Sequence, residues 1–241
     1  MNVSAALPSP SKVAVGPASE GYYPLYWQEG DAISVNGTLS QALGAASDGS
    51  AEVNFVLNSF AGNSPYDILY PGSSANRVNL DGTILPLYAR TASLEEMVFL
   101  RHLGAGLSIG LSGDLDVASL TLTAPGGEPV GGSFDVDFSS GTLSADAALS
   151  AVTVPGPAPL AEGDVRHYRL YFAPGTFSLG LVLRAQSPGG SVMEWQFARG
   201  TALEKGRMYV LPDTRFASRD FSDGVPVLLE NLTENLVSFE L

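Results

Sequence analysis

The sequence predicts an all-β fold, and three observations carry that prediction. Gly (27) and Pro (16) together exceed a sixth of the 241 residues, while charged residues make up only 15%. That balance suits short strands and tight turns better than helices rich in Glu and Lys. Apolar and polar residues alternate in runs of about four to eight, bounded by Gly, Pro, Asn or Ser, and no segment beyond about two turns carries apolar residues at the helical period. With 45% apolar residues the chain can fill one large core or two small ones.

Val3, Ala5 and Leu7 alternate with Asn2, Ser4 and Ala6 until Pro8-Ser9-Pro10-Ser11 ends the run. This predicts a first strand followed by an extended, exposed loop. Lys12, in that loop, is the only basic residue before Arg77, so a trypsin-like protease has one accessible site there. Tyr26-Trp27 then leads into a Glu29-Gly30-Asp31 turn, and Ala32 and Ser34 alternate with Ile33 and Val35 as far as Asn36-Gly37. Turn, strand, turn is the expectation, with Trp27 as a core anchor.

Glu52–Leu57 and Asp67–Gly72 are sandwich-sized strands. Residues 76–90 read as a meandering loop with a short apolar piece, Ile84-Leu85-Pro86-Leu87-Tyr88. Ser93, followed by Glu95 and Glu96, has N-cap character, so one helical turn at most is expected there. That point is also the preferred domain boundary, dividing residues 1–95 from 96–241. The Pro-rich Val154-Pro155-Gly156-Pro157-Ala158-Pro159 supplies an alternative near 155, as a linker or as an inter-strand loop.

Farther on, Leu107–Leu111, Leu120–Thr123 and Phe134–Phe138 alternate and are joined by Gly- and Pro-containing turns. They predict three neighbouring antiparallel strands with one wet face. Tyr168–Phe172, Leu179–Leu183, Val192–Phe197 and Arg207–Leu211 continue the pattern, followed by Val225–Leu229. In the closing Leu236–Leu241 segment, Val237, Phe239 and Leu241 share a face.

Composition also excludes functions. The net charge is −13, with 3 basic against 8 acidic residues before Glu96 and 9 against 17 from there on. Nucleic acid is therefore not an expected partner, because phosphate binding needs clustered Lys and Arg. Without cysteine there is no disulfide, thiol nucleophile or cysteine–zinc site. No apolar run approaches the roughly 18 residues of a membrane span, and no charged-then-apolar signal segment is present.

A catalytic relay would have to use His102 or His167, and neither stands beside a nucleophile turn. Asp114/Asp116 and Asp135/Asp137 project from strand faces but lack the ligand series of a calcium loop; a solvated polar face accounts for them. Asn2, Asn36 and Asn231 stand in glycosylation contexts, a short pattern of low specificity. No catalytic residue, cofactor site or metal site is expected, and the chain is read as non-enzymatic.

Several pieces in order resemble the fimbrillin-like family, the lipoprotein-derived subunits of Bacteroides-type fimbriae. These are the opening strand, Trp27–Val35, Tyr66-Asp67-Ile68-Leu69-Tyr70-Pro71, the Leu85-Pro86 step, Val117–Leu122, Gly131–Val136 and Ala173-Pro174-Gly175-Thr176-Phe177, covering roughly Val3 to Val210. The resemblance implies two transthyretin-like β-sandwiches in tandem, export as an outer-membrane lipoprotein, and assembly of a cell-surface pilus by β-strand exchange. It also implies proteolytic removal of the first strand after a basic residue. That residue would be Lys12, where the family usually has Arg. Val3, Ala5 and Leu7 would then fill the groove that a neighbour's strand enters, and Val237, Phe239 and Leu241 would be the donor. The family's lipidated cysteine is absent, which fits a chain trimmed of its export segment, and no Gln follows Leu85-Pro86.

The expected function is a fimbrial subunit or adhesin partnered by other fimbrial subunits and by a host or microbial surface ligand. The alternative is a surface glycan-binding module with Tyr22, Tyr23, Trp27 or Trp195 as stacking platforms.

Overall fold

The computed structural model describes residues 1–7, 25–157, 159–162 and 164–217, and the strand backbones of 227–229 and 237–240; of residues 160–162, too, only the backbone is described. The first strands in chain order are β1 Asn2–Ala6, β2 Ser34–Val35, β3 Thr38–Leu39, β4 Glu52–Val56, β5 Tyr66–Tyr70, β6 Arg77–Leu80, β7 Leu87–Thr91, β8 Val98–Phe99 and β9 Arg101–His102. They are followed by β10 Ala105–Ser112, β11 Ser119–Thr123, β12 Gly131–Asp137, β13 Thr142–Leu149, β14 Ala151–Pro155, β15 Leu160–Glu162, β16 Val165–Phe172 and β17 Gly175–Phe177. The last are β18 Val182–Gln186, β19 Val192–Gln196, β20 Thr201–Leu203, β21 Arg207–Arg215, β22 Val227–Leu229 and β23 Val237–Glu240. Among the described residues the helical content is one 3₁₀ turn, Ala45–Ser47, so the all-β expectation holds.

The strands form sheets that close over apolar cores. The three-stranded β4-β1-β8 and five-stranded β3-β2-β5-β7-β9 sheets contribute Val3, Phe55, Ile68 and Leu87 to one core, with Trp27 at its centre. The five-stranded β15-β16-β10-β21-β23 and β14-β11-β18-β19-β22 sheets enclose Leu107, Leu122, Leu170, Leu183 and Trp195. A further, three-stranded sheet, β13-β12-β6, joins the two regions, since β6 pairs with β12 through Val78↔Phe134. Both residues belong to a smaller cluster with Leu69, Tyr88 and Leu103. Tyr171 and Met208 also reach from the second region into the first core.

Several expectations need correction. The three strands expected as neighbours, β10, β11 and β12, lie in three different sheets. β10 has no wet face either, being buried from Ala105 to Leu111. Its large residues face the core, and its small ones, Gly106, Ser108 and Gly110, let other chains approach closely: a Cβ at Gly106 would meet the Met208 methyl at 2.8 Å. Small residues on a second buried face look like a polar face in sequence.

Residues 76–90 contain β6 and β7 rather than a loop. Ser93 starts no helical turn. Its hydroxyl accepts from Glu95 N at 3.1 Å in a bend that buries Leu94. The strand expected from Leu179 begins at Val182, because Gly180 holds φ +77 and donates to Phe177 O at 3.0 Å in a turn, leaving Leu179 exposed. In 32–35 only Ser34 and Val35 form a strand, and both are buried.

Candidate functional site

Strand β1 is hydrogen-bonded on both of its edges. It runs antiparallel to β4, Val3 opposite Phe55 and Ala5 opposite Val53, and parallel to β8, Ala5 opposite Val98 and Ala6 opposite Phe99. A two-sided strand gives its backbone donors and acceptors partners on both edges, which an edge strand does not. The ladder is extended by Leu57 N donating to Met1 O at 2.8 Å, Leu7 N to Ala51 O at 3.2 Å and Leu100 N to Ala6 O at 3.0 Å.

The side chains follow the period-2 rule. Val3 and Ala5 are fully buried and Leu7 nearly so, while Ser4, on the outer face, donates to Asn54 Oδ1 at 2.6 Å. The groove floor is aromatic: Trp27 meets Phe55 edge-on at 5.0 Å and Tyr70 at 5.4 Å. Burial of Val3 and Leu7 contributes about 1.5–3 kcal/mol each. Removing β1 would expose this floor and leave the facing edges of β4 and β8 unpaired.

One ionisable pair sits beside the floor. Tyr70 Oη donates to Asp31 Oδ1 at 2.8 Å and Gln28 N donates to Asp31 Oδ2 at 2.8 Å. Burial outweighs these bonds and raises the Asp31 pKa; burial, then the Asp31 charge, also pushes the Tyr70 hydroxyl up. An acid whose folded pKa lies above its unfolded value stabilises the fold most below the unfolded pKa, near 3.9, and loses that contribution as pH rises through the folded pKa. Between pH 4 and 7 the wild type is therefore expected to lose stability relative to Asp31→Asn, read as the difference between their urea midpoints at each pH.

The other residues singled out in the sequence are placed as follows. Lys12, Tyr22, Tyr23, Asn231 and Leu241 lie outside the described residues. Val237 and Phe239 fall in β23, which pairs antiparallel with β21, Val210 opposite Val237. Trp27 and Trp195 are fully buried, one in each of the two larger cores, which removes both as stacking platforms. His102 is buried in β9 and His167 half-buried in β16.

The aspartates are engaged one by one. Asp116 pairs with Arg166. Arg77 bridges Asp135 at 3.0 Å and Asp146 at 3.1 Å. Asp137 is lowered to about 2 by the Ser139 and Ser140 hydroxyls. Among the described residues no three His, Asp or Glu converge as metal ligands, and no helix is long and apolar enough to cross a membrane. Asn36 (φ +46) uses its amide to tie the β2–β3 turn to Asn63 O and Asp67 N. The Asp31–Tyr70 bond spans 39 residues, and no local sequence signal announces it.

Neither a family model nor a curated protein sequence matches the chain. Its fold is similar to that of solved structures described as candidate cell adhesion proteins. One from Bacteroides ovatus superposes with a TM-score of 0.55 at 10% identity, covering 100% of this chain and 95% of that one. One from Bacteroides fragilis gives 0.52 at 10%, with 100% and 98% covered. One from Bacteroides uniformis gives 0.50 at 14%, with 90% and 93% covered. At these identities the likeness is one of fold, and it agrees with the fimbrillin-like resemblance seen in the sequence.

Proposed function

We propose that this chain is a non-enzymatic fimbrial subunit or adhesin of the cell surface that assembles by β-strand exchange. The observation that carries the reading is β1 itself: a short strand ahead of Lys12, buried on its apolar face and hydrogen-bonded on both edges. A strand so placed is followed in sequence by Lys12, the first basic residue. Cleavage there would free the strand and open a groove for a strand of another subunit by β-augmentation. The Val237, Phe239 and Leu241 tail has the alternation of a donor. The fold likeness to candidate cell adhesion proteins supports the same reading.

In this reading the two larger cores belong to two transthyretin-like sandwiches. We place the boundary near residue 95 rather than near 155, a reading supported by strands from either side of residue 155 that pair in the same sheets: β11 with β18 and β10 with β16.

Limited digestion with trypsin tests the mechanism. Mass spectrometry is expected to show loss of residues 1–12, and gel filtration then to show oligomers that fail to form when the chain stops at residue 235. A cleaved protein that stays monomeric with or without its tail contradicts assembly by strand exchange.

A further inference from the structure

We propose that a cavity between β7, β8 and β9 and the β12–β13 turn binds a carboxylate-bearing sugar. The cavity holds about 420 Å³ and is lined by Tyr88, Arg90, Thr91, Phe99, Arg101 and Ser139 among others. It does not include the Trp27, Phe55 and Tyr70 rings of the groove floor, although its β8 wall also flanks β1, and ligand binding there is independent of strand exchange.

Three features point to that ligand. The first is an exposed aromatic ring: Phe99 keeps 63% of its surface in water, although its neighbours Val98 and Leu100 are buried. An exposed ring at the rim of a cavity offers a stacking face for the apolar side of a sugar.

The second is uncompensated positive charge in a chain of net charge −13. Arg101 stands directly across from Tyr88 in the β7–β9 ladder, on the same side as Phe99 two residues earlier, and it makes no ion pair with any described residue. Lys205 lies over the Tyr88 ring, 5.8 Å from its centroid, and donates to the carbonyls of Ser140 and Gly141 rather than to a carboxylate. The nearby carboxylates are already engaged. Asp67 faces Arg90 at 3.5 Å, and Asp137 accepts from Ser139 N, Ser139 Oγ and Ser140 Oγ. The Arg101 guanidinium therefore presents a free fork, whose planar donors match a carboxylate in bidentate fashion.

The third feature is what the cavity lacks. β8 and β9 are two residues each, and one edge of β8 is taken by β1. Neither β8 nor β9 offers an edge long enough for an extended peptide strand, so a compact ligand fits better. At the wall, Ser139 Oγ already donates to Asp137 and keeps lone pairs that can accept from a sugar's hydroxyl, whereas Thr91 Oγ1 is engaged with Ser93.

Titration of the full-length ¹⁵N-labelled chain with N-acetylneuraminic acid and with glucuronic acid, followed by NMR, tests this. The expected result is millimolar binding with shifts centred on residues 88–101 and none with glucose. Arg101→Ala weakens it at least about tenfold, the loss of a charge-assisted pair. Arg101→Lys restores only part, and Phe99→Ala weakens binding while leaving the thermal midpoint unchanged, since both side chains are exposed. The proposal is overturned by an absence of shifts with both acidic sugars up to tens of millimolar, or by equal binding of glucose or of a Glu-Glu dipeptide. Binding that survives both Arg101→Ala and Phe99→Ala overturns it as well.

Discussion

Ala5→Asp is expected to destabilise the protein at pH 7 by at least about 3 kcal/mol, the scale of an uncompensated buried charge. Ala5 is fully buried between β4 and β8, and its Cβ points at the core that Trp27 and Phe55 fill. A carboxylate there has two routes to relief: it raises its pKa and takes a proton, or it drives β1 out of the sheet. Because the first route opens in acid, the destabilisation is expected to shrink between pH 7 and 4, read from urea midpoints of variant and wild type. Ser4→Ala, one residue away, removes only the bond to Asn54 Oδ1 and is expected to cost about 1 kcal/mol or less. Equal effects of the two changes would show that β1 is not seated by its alternate residues, and the groove would lose its meaning.

Trp27→Ala is expected to cost about 3–5 kcal/mol, the usual range for emptying a buried aromatic site. The indole is fully buried and forms edge contacts with Phe55 and Tyr70, so two rings lose their partner at once. Its Nε1 has no acceptor among the described residues. Trp27→Phe, which removes that unsatisfied donor and keeps a ring, is therefore expected to retain most of the stability. The change leaves Trp195 as the single tryptophan, and Trp195 lies in the other core. If the two cores unfold independently, Trp195 fluorescence keeps its wild-type midpoint while circular dichroism shows an earlier transition. One shifted transition in both signals would mean that Tyr171, Met208 and the β6–β12 pairing couple the cores into one unit.

Legibility in the sequence followed the number of wet faces. Strands with one buried and one exposed face, such as β4, β11 and β19, alternate and were readable as strands. β10 alternates large with small residues and was readable as a strand, but it is dry on both faces, so its small-residue face read as a wet one; β13 is largely exposed along its length and carries no period-2 signal of half-burial. β6 does alternate, but the Asn and Asp around it read as turn residues. The same limit applied to sites. Ion pairs such as Arg77 with Asp135 and Asp146, and the Asp31–Tyr70 bond, join residues distant in sequence, where no spacing rule reaches.

By itself the sequence determined the all-β class, the shared face of Val3, Ala5 and Leu7, the core role of Trp27, and the lack of any nucleophile turn around its two histidines. These are local properties: alternation, turn residues and composition act over a few positions. Tertiary structure decided which strands are neighbours, that β1 is bonded on both edges, and that Phe99 and Arg101 stand together at a cavity across from Tyr88. Strand order and cavities depend on contacts between residues far apart in the chain, and many pairings satisfy the same local alternation. Only packing of the whole chain selects among them.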